Sequence, residues 1–187
     1  MPSSFAVLTA AAAAGGDVLL KQVDYRHLST VTAALREAGC HVHSGSDWVR
    51  LQSSGSLHAI RPVRTAPYPG FPTDAQAVLM AALLRSGGTT VFIENMFENR
   101  YRHVAEMMRM GADIRTEGRV AVVCGVPVLH GAKVEATDLR GGAALVVAAL
   151  IAEGESEVSE LHHIDRGYED LAGNLADLGA SITRVET

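Results

Sequence analysis

The sequence predicts an α/β fold assembled from repeated units. Three observations carry that prediction: glycines that recur at nearly constant spacing, helical apolar patterns that end at those glycines, and short β-alternating runs between them. Gly16 and Gly39, Gly88 and Gly111, and Gly154 and Gly179 lie 23, 23 and 25 residues apart. The second glycine of each pair closes a helical stretch, where the backbone needs the left-handed conformation that other residues resist.

Along the chain, residues 5 to 14 are a continuous apolar helix, ending at Gly15-Gly16 before a strand at Val18-Leu19-Leu20. Leu28, Val31, Leu35 and Ala38 then form one helical face, followed by Cys40-His41-Val42 and the alternating strand Asp47–Leu51. A longer helix starts near Thr73, and the plan recurs with Thr90–Ile93, a helix at Tyr101, Val104 and Met108, then Ala112–Ile114 and Arg119–Val123. The third round has a helix from Asp138, a strand at Glu157–Leu161, a helix at Tyr168, Leu171, Leu175 and Leu178, and a last strand at Ser181–Val185. Met107, Met108 and Met110 are expected in the core. The chain reads as one domain of 187 residues: a partial unit over 1–64, a unit over 65–135 and a partial unit over 136–187, cut inside a unit at both ends. Because an unpaired strand edge is an aggregation template, the last strand is expected to pair with another segment or chain.

Composition narrows the functional classes. Hydrophobic residues make up 48% and charged residues 20%, as in ordinary globular domains. A net charge of −5 gives no electrostatic footprint for nucleic acid. Cys40 and Cys124 stand without partners at metal-ligand spacing, so reduced thiols in a cytoplasmic protein are expected. The longest apolar runs, 5–14 and 143–152, are too short to span a bilayer, and Met1-Pro2-Ser3-Ser4 lacks the basic start of a signal peptide. No membrane association is expected. His162 and His163 are adjacent, so on a strand they would face opposite sides, and no metal or cofactor site is expected from the eight histidines. The glycine pairs do not follow a strand at the spacing of a phosphate-cradling loop.

Two helix starts share both residues, Thr73-Asp74 and Thr137-Asp138. Either residue serves as an ordinary N-cap. The company is less ordinary: Pro69-Gly70-Phe71-Pro72 forces a rigid turn before Asp74, and Arg140 follows Asp138 by two residues. Two strand-to-helix connections also carry charge, Phe97-Glu98-Asn99-Arg100 and His163-Ile164-Asp165-Arg166-Gly167-Tyr168. Arg26 stands 13 residues before its closing glycine, as Arg166 does, so the repeat by itself can place an arginine there without chemistry.

Thr65–Asp74, Phe97–Arg100, Thr137–Arg140 and His163–Glu169, in order and with matching helices between them, closely resemble UDP-N-acetylglucosamine enolpyruvyl transferases. The likeness runs from about Phe5 to Val185. It implies an inside-out α/β barrel of βαβαββ units, one of the family's two domains. It also implies that the other domain, with its catalytic-cysteine loop and Lys-Asn pair, lies outside this sequence. The resemblance assigns Asp74 to the sugar 3-hydroxyl as the base for its attack on phosphoenolpyruvate. Arg100, Asp138, Arg140 and Arg166 would surround the enolpyruvyl, carboxylate and phosphate positions, with Asp138 and Arg166 counted with Asp74 as catalytic. Met96 and Phe97 would contact the nucleotide sugar. The residue types suit the chemistry, since guanidinium forks match carboxylate and phosphate oxygens.

The resemblance therefore implies a cytoplasmic transferase domain of peptidoglycan precursor synthesis, without cofactor. Its small-molecule partners would be UDP-N-acetylglucosamine and phosphoenolpyruvate, and the isolated chain is expected to be inactive without the complementary domain. Two other outcomes stay open: a non-catalytic half-domain that binds a nucleotide sugar or anion, alone or with a partner chain, and a 5-enolpyruvylshikimate-3-phosphate synthase-like domain. The Phe-Glu-Asn-Arg and Ile-Asp-Arg-Gly-Tyr motifs favour the UDP-sugar enzyme over the last.

Overall fold

In the computed structural model, residues 2–185 are described. Three apolar helices, α1 (Pro2–Ala14), α3 (Thr73–Ala82) and α5 (Leu139–Leu150), pack against one another at the centre. Ala75–Ala82 of α3 and Gly141–Ala148 of α5 are buried without interruption. A helix apolar on every side has no face to show to water and becomes core.

Outside them lie the sheets. In the first unit β1 (Gly16–Lys21), β2 (His41–Ser44) and β3 (Trp48–Ser53) are ordered β1-β3-β2, and α2 (Ser29–Glu37) packs back on α1. The second unit is complete: β4 (Val63–Arg64), β5 (Thr89–Ile93), β6 (Asp113–Glu117) and β7 (Val120–Cys124) are ordered β4-β5-β7-β6. The parallel pair β4 and β5 is joined through α3, and α4 (His103–Arg109) leads into the hairpin. The third unit pairs β8 (Lys133–Glu135) with β9 (Glu157–Ser159), again in parallel and across a central helix, and continues into α6 (His162–Asp165) and α7 (Leu171–Asp177).

Register shows how close the repeat is. Leu51 lies opposite Val18 and Val42, and Val123, 72 residues on, lies opposite Thr90 and Ile114. All six side chains are buried, because alternate residues of each strand face the helices. Gly39, Gly111 and Gly179 close their helices at φ +110°, +94° and +96°. The first two lie beside histidine rings: a Cβ at Gly39 would come 3.3 Å from His58 Cδ2, and one at Gly111 3.5 Å from His130 Cδ2.

Three expectations are corrected. Residues 181–185 form no strand, because the hairpin partner that β3 and β7 supply to β2 and β6 has no counterpart among the described residues. His162 and His163 sit on α6, not on a strand, with ring centroids 4.0 Å apart, since the chain turns out of β9 at Glu160 (φ +59°). The inner face of α4 is His103, Val104 and Met107, continued by Met110, which turns Met108 outward to 52% exposure.

Candidate active site

The N-terminal ends of α3 and α5 meet side by side, and the predicted residues gather there. Residues 65–72 deliver the chain to α3 through a tight turn in which the Gly70 N–H donates to the Pro67 carbonyl and Ala66 N–H to Phe71. Glycine is required at that turn, since a Cβ on Gly70 would lie 2.5 Å from the Ala66 methyl. Pro72 occupies the N-cap position and makes no side-chain cap bond, so Thr73 and Asp74 are already helical. The Asp74 carboxylate is therefore not a cap. It points across to α5 and forms an ion pair with the Arg140 guanidinium.

Asp138 does cap its helix. Its Oδ1 accepts the Arg140 and Gly141 backbone N–H groups, both at 2.9 Å. Behind it, His103 of α4 is buried beside Gly141, and neither ring nitrogen has a hydrogen-bond partner. Burial holds His103 down to about 4, against the opposing pull of the Asp138 charge.

Arg100 enters from the connection after β5. Its guanidinium lies 4.1 Å from the centroid of the Phe97 ring, and its Nε is buried without a partner. Burial first, and the Arg140 charge second, pull Arg100 below its ordinary value, while Glu94, Asp138 and Asp74 oppose this. Met96 and Phe97 are exposed on the same connection. Tyr168 is buried close to Asp74, Arg140 and Asp138, and its hydroxyl is unpartnered. Its burial raises it to about 12, so the hydroxyl stays a donor. The structure thus brings Asp74, Arg100, Asp138 and Arg140 together. Arg166 is exposed at the end of α6, two residues before the buried Tyr168.

A cleft of about 240 Å³ opens beside Asp74, lined also by Phe5, Arg26, His27, Tyr68 and Pro72. Arg26 is paired there with Asp24 at 2.6 Å. A larger cavity, about 540 Å³, lies at the opposite ends of the central helices among Ala14, Ser54, Arg85 and Glu153. It is far from the clustered carboxylates and guanidinia, so the smaller cleft is the candidate site. Among the described residues, no three His, Cys, Asp or Glu side chains are placed to share a metal ion.

Glu94 was not anticipated from the sequence. It is 1% exposed and accepts four hydrogen bonds: from the Thr65 hydroxyl (2.9 Å), the Thr73 hydroxyl (2.8 Å) and the Met96 and Phe97 N–H groups (2.7 and 3.1 Å). The one signal for it was an acidic residue directly after the apolar strand Thr90–Ile93.

Residues 2–175 match the family described as EPSP synthase (3-phosphoshikimate 1-carboxyvinyltransferase). The chain belongs to this enolpyruvyl transferase family. It is 54% identical over 178 residues to a UDP-N-acetylglucosamine 1-carboxyvinyltransferase of Desulfofundulus thermocisternus, covering 95% of this chain and 73% of the relative. It is 50% identical over 176 residues to a protein of the same name from Zymomonas mobilis, covering 94% of this chain and 41% of that one. Among solved structures, the enolpyruvyl transferase NikO from Streptomyces tendae superposes with a TM-score of 0.86 at 26% identity, over 97% of this chain and 43% of NikO. An EPSP synthase from Acinetobacter baumannii shares the fold, with a TM-score of 0.67 at 19% identity, over 89% of this chain and 42% of its own. The chain is an inside-out barrel of this family, helices within and sheets without. It spans about two fifths of the longer enolpyruvyl transferases it matches. Among the described residues no helix is long and apolar enough to cross a membrane.

Proposed function

We propose that this chain forms the base-bearing and anion-binding wall of a cytoplasmic UDP-N-acetylglucosamine 1-carboxyvinyltransferase. The observation that carries the proposal is the cross-helix pair of Asp74 and Arg140, with Arg100 and Asp138 beside it at one end of the central helices. In this reaction the sugar 3-hydroxyl loses its proton and its oxygen bonds to C2 of phosphoenolpyruvate. C3 takes up a proton to give a tetrahedral adduct, and loss of a C3 proton together with the phosphate on C2 restores the double bond.

Asp74 suits the first step. Its side chain is 40% exposed, it lines the cleft, and no backbone N–H engages its oxygens. A half-exposed ion pair of this kind contributes about 0–1 kcal/mol. An arriving anion can therefore take Arg140 from Asp74 at little cost, freeing the carboxylate as Arg140 is engaged. Arg100 and Arg140 offer guanidinium forks to carboxylate and phosphate oxygens as charge shifts toward the leaving group. We place Arg166 at the rim of the same anion site and Asp138 at its floor. We assign Met96 and Phe97, exposed on the connection that carries Arg100, to the nucleotide-sugar side.

The identities favour the UDP-sugar enzyme over an EPSP synthase, since relatives at 50 and 54% carry the former name and the A. baumannii synthase stands at 19%. The test is phosphate release from phosphoenolpyruvate with UDP-N-acetylglucosamine, using the chain alone and mixed with the complementary domain of the Z. mobilis relative. Turnover is expected only in the mixture and is expected to disappear with Asp74→Asn. Turnover with shikimate 3-phosphate as acceptor, or sustained turnover by Asp74→Asn, would overturn the assignment.

A further inference from the structure

The four hydrogen bonds to Glu94 join two parts of the site that are distant in sequence. The Thr73 hydroxyl belongs to the first turn of α3, directly before Asp74. The Met96 and Phe97 N–H groups belong to the connection that carries Arg100. The Thr65 hydroxyl closes the set, because its oxygen also accepts the Asn95 N–H at 2.8 Å. A carboxylate buried this deeply is stable only when its oxygens are filled with donors, and here they are.

The repeat supplies an internal control. The residue directly after β1 is Gln22 and the residue directly after β9 is Glu160, the counterparts of Glu94 after β5. Both are exposed, and both turn away at φ +58° and +59°. Glu94 alone of the three has turned inward. The unit therefore folds without a buried carboxylate at this position, and fold alone does not account for the one in the second unit.

We propose that Glu94 is a positioning residue that sets the nucleotide-sugar side of the site, holding the start of α3 and the 95–100 connection in one fixed relation. The proposal rests on the enolpyruvyl transferase reading and adds a division of labour to it. The brace touches Thr73, Met96 and Phe97 but neither Arg140 nor the α5 cap. Breaking it should therefore weaken sugar binding more than anion binding, which keeps Arg140 and feels the loss only through Arg100 at the far end of the connection.

The test measures dissociation constants of the 187-residue chain for two probes, UDP-N-acetylglucosamine and inorganic phosphate, with circular dichroism melts alongside. Thr73→Val keeps the size of the side chain and removes the donor; it is expected to weaken sugar binding about tenfold, as loss of one hydrogen bond to a charged group does. Thr73→Ser, which keeps the hydroxyl, is expected to bind as the wild type does. Glu94→Asp keeps the charge but shortens its reach and is expected to lose more than Thr73→Val. Phosphate affinity is expected to fall by less than sugar affinity in every weakened variant, a split that a general loss of stability does not produce. If Glu94→Asp fails to fold, the Thr73 pair decides the matter. Unchanged sugar binding in Thr73→Val, or equal loss of both probes, overturns the brace alone. A folded wild-type chain that binds no sugar, either alone or with the complementary domain added, overturns the UDP-sugar reading and the brace with it.

Discussion

Two central helices of this molecule start with the same two residues, and the start of one is open where the other is closed. At α5 the Asp138 carboxylate turns back on its own helix and is held by two backbone N–H groups. At α3 the eight residues from Thr65 to Pro72 lead into the helix and put proline at the N-cap. Thr73 and Asp74 are thereby shifted one place into the helix. Thr73 is free to bond Glu94, and Asp74 is free to face the cleft. The difference teaches that an inserted loop, rather than a changed residue, converts a structural aspartate into one available for chemistry.

The largest effect expected from this comparison is on turnover. In the assembled enzyme Asp74→Asn should slow phosphate release by about 10² to 10⁴-fold, the usual contribution of a general base, equivalent to about 3–5 kcal/mol of barrier. The melting temperature should fall by no more than about 2–4 °C, because Asp74 caps nothing and its half-exposed pair with Arg140 contributes about 0–1 kcal/mol. A variant that turns over normally, or one that melts much earlier, would break the contrast between the two helix starts.

The sequence made the scaffold legible because backbone geometry is written in glycine and in period. The 72-residue translation from Val18, Val42 and Leu51 to Thr90, Ile114 and Val123 is visible as pattern, and so are the left-handed closures at Gly39, Gly111 and Gly179. The candidate residues Asp74, Arg100, Asp138 and Arg140 were legible through family motifs, and their convergence needed the three-dimensional packing of α3 on α5. What stayed hidden depends on single-residue register. Whether Asp74 is the cap or lies one place past it, whether Met107 or Met108 faces inward, and whether a residue after a strand turns in like Glu94 or out like Glu160 all leave the composition unchanged. The expected strand at 181–185 failed for another reason: a strand is a property of a pair, and local propensity does not supply the partner.

The second expected effect comes from what lies behind Asp138. His103 is fully buried and held near 4, well below the ordinary 6.5, chiefly by desolvation. The unfolded chain thus binds a proton between pH 6.5 and 4 that the folded chain refuses, so stability is complete above pH 6.5 and falls as the pH drops toward 4. The full loss is roughly 3 kcal/mol at 1.36 kcal/mol per unit. Urea titrations at intervals from about pH 7 to about pH 4.5 should show this slope in the wild type and a flatter one in His103→Leu. The window excludes Asp17, Asp24 and Asp165, whose arginine partners hold them below the ordinary carboxylate value, so their contributions are lost only at lower pH. Parallel slopes in the two proteins would mean that the α5 end is not sealed as described.

The smallest effects sharpen the comparison most, because they separate the cap from the chemistry at Asp138. Removing the cap with Asp138→Ala should cost about 1 kcal/mol, and for a chain of this size about 2–4 °C in melting temperature. Asp138→Asn keeps an acceptor for the Arg140 and Gly141 N–H groups, and asparagine caps about as well as aspartate, so its melting temperature should stay within about 1 °C of the wild type. The two variants differ in stability and agree in having lost the charge. If assembled Asp138→Asn and Asp138→Ala lose the same turnover despite their different melting temperatures, the negative charge at the floor of the anion site is what the reaction uses. If asparagine restores turnover along with the cap, Asp138 acts only by fixing the helix end on which Arg140 stands, and of the two aspartates only Asp74 takes part in the chemistry.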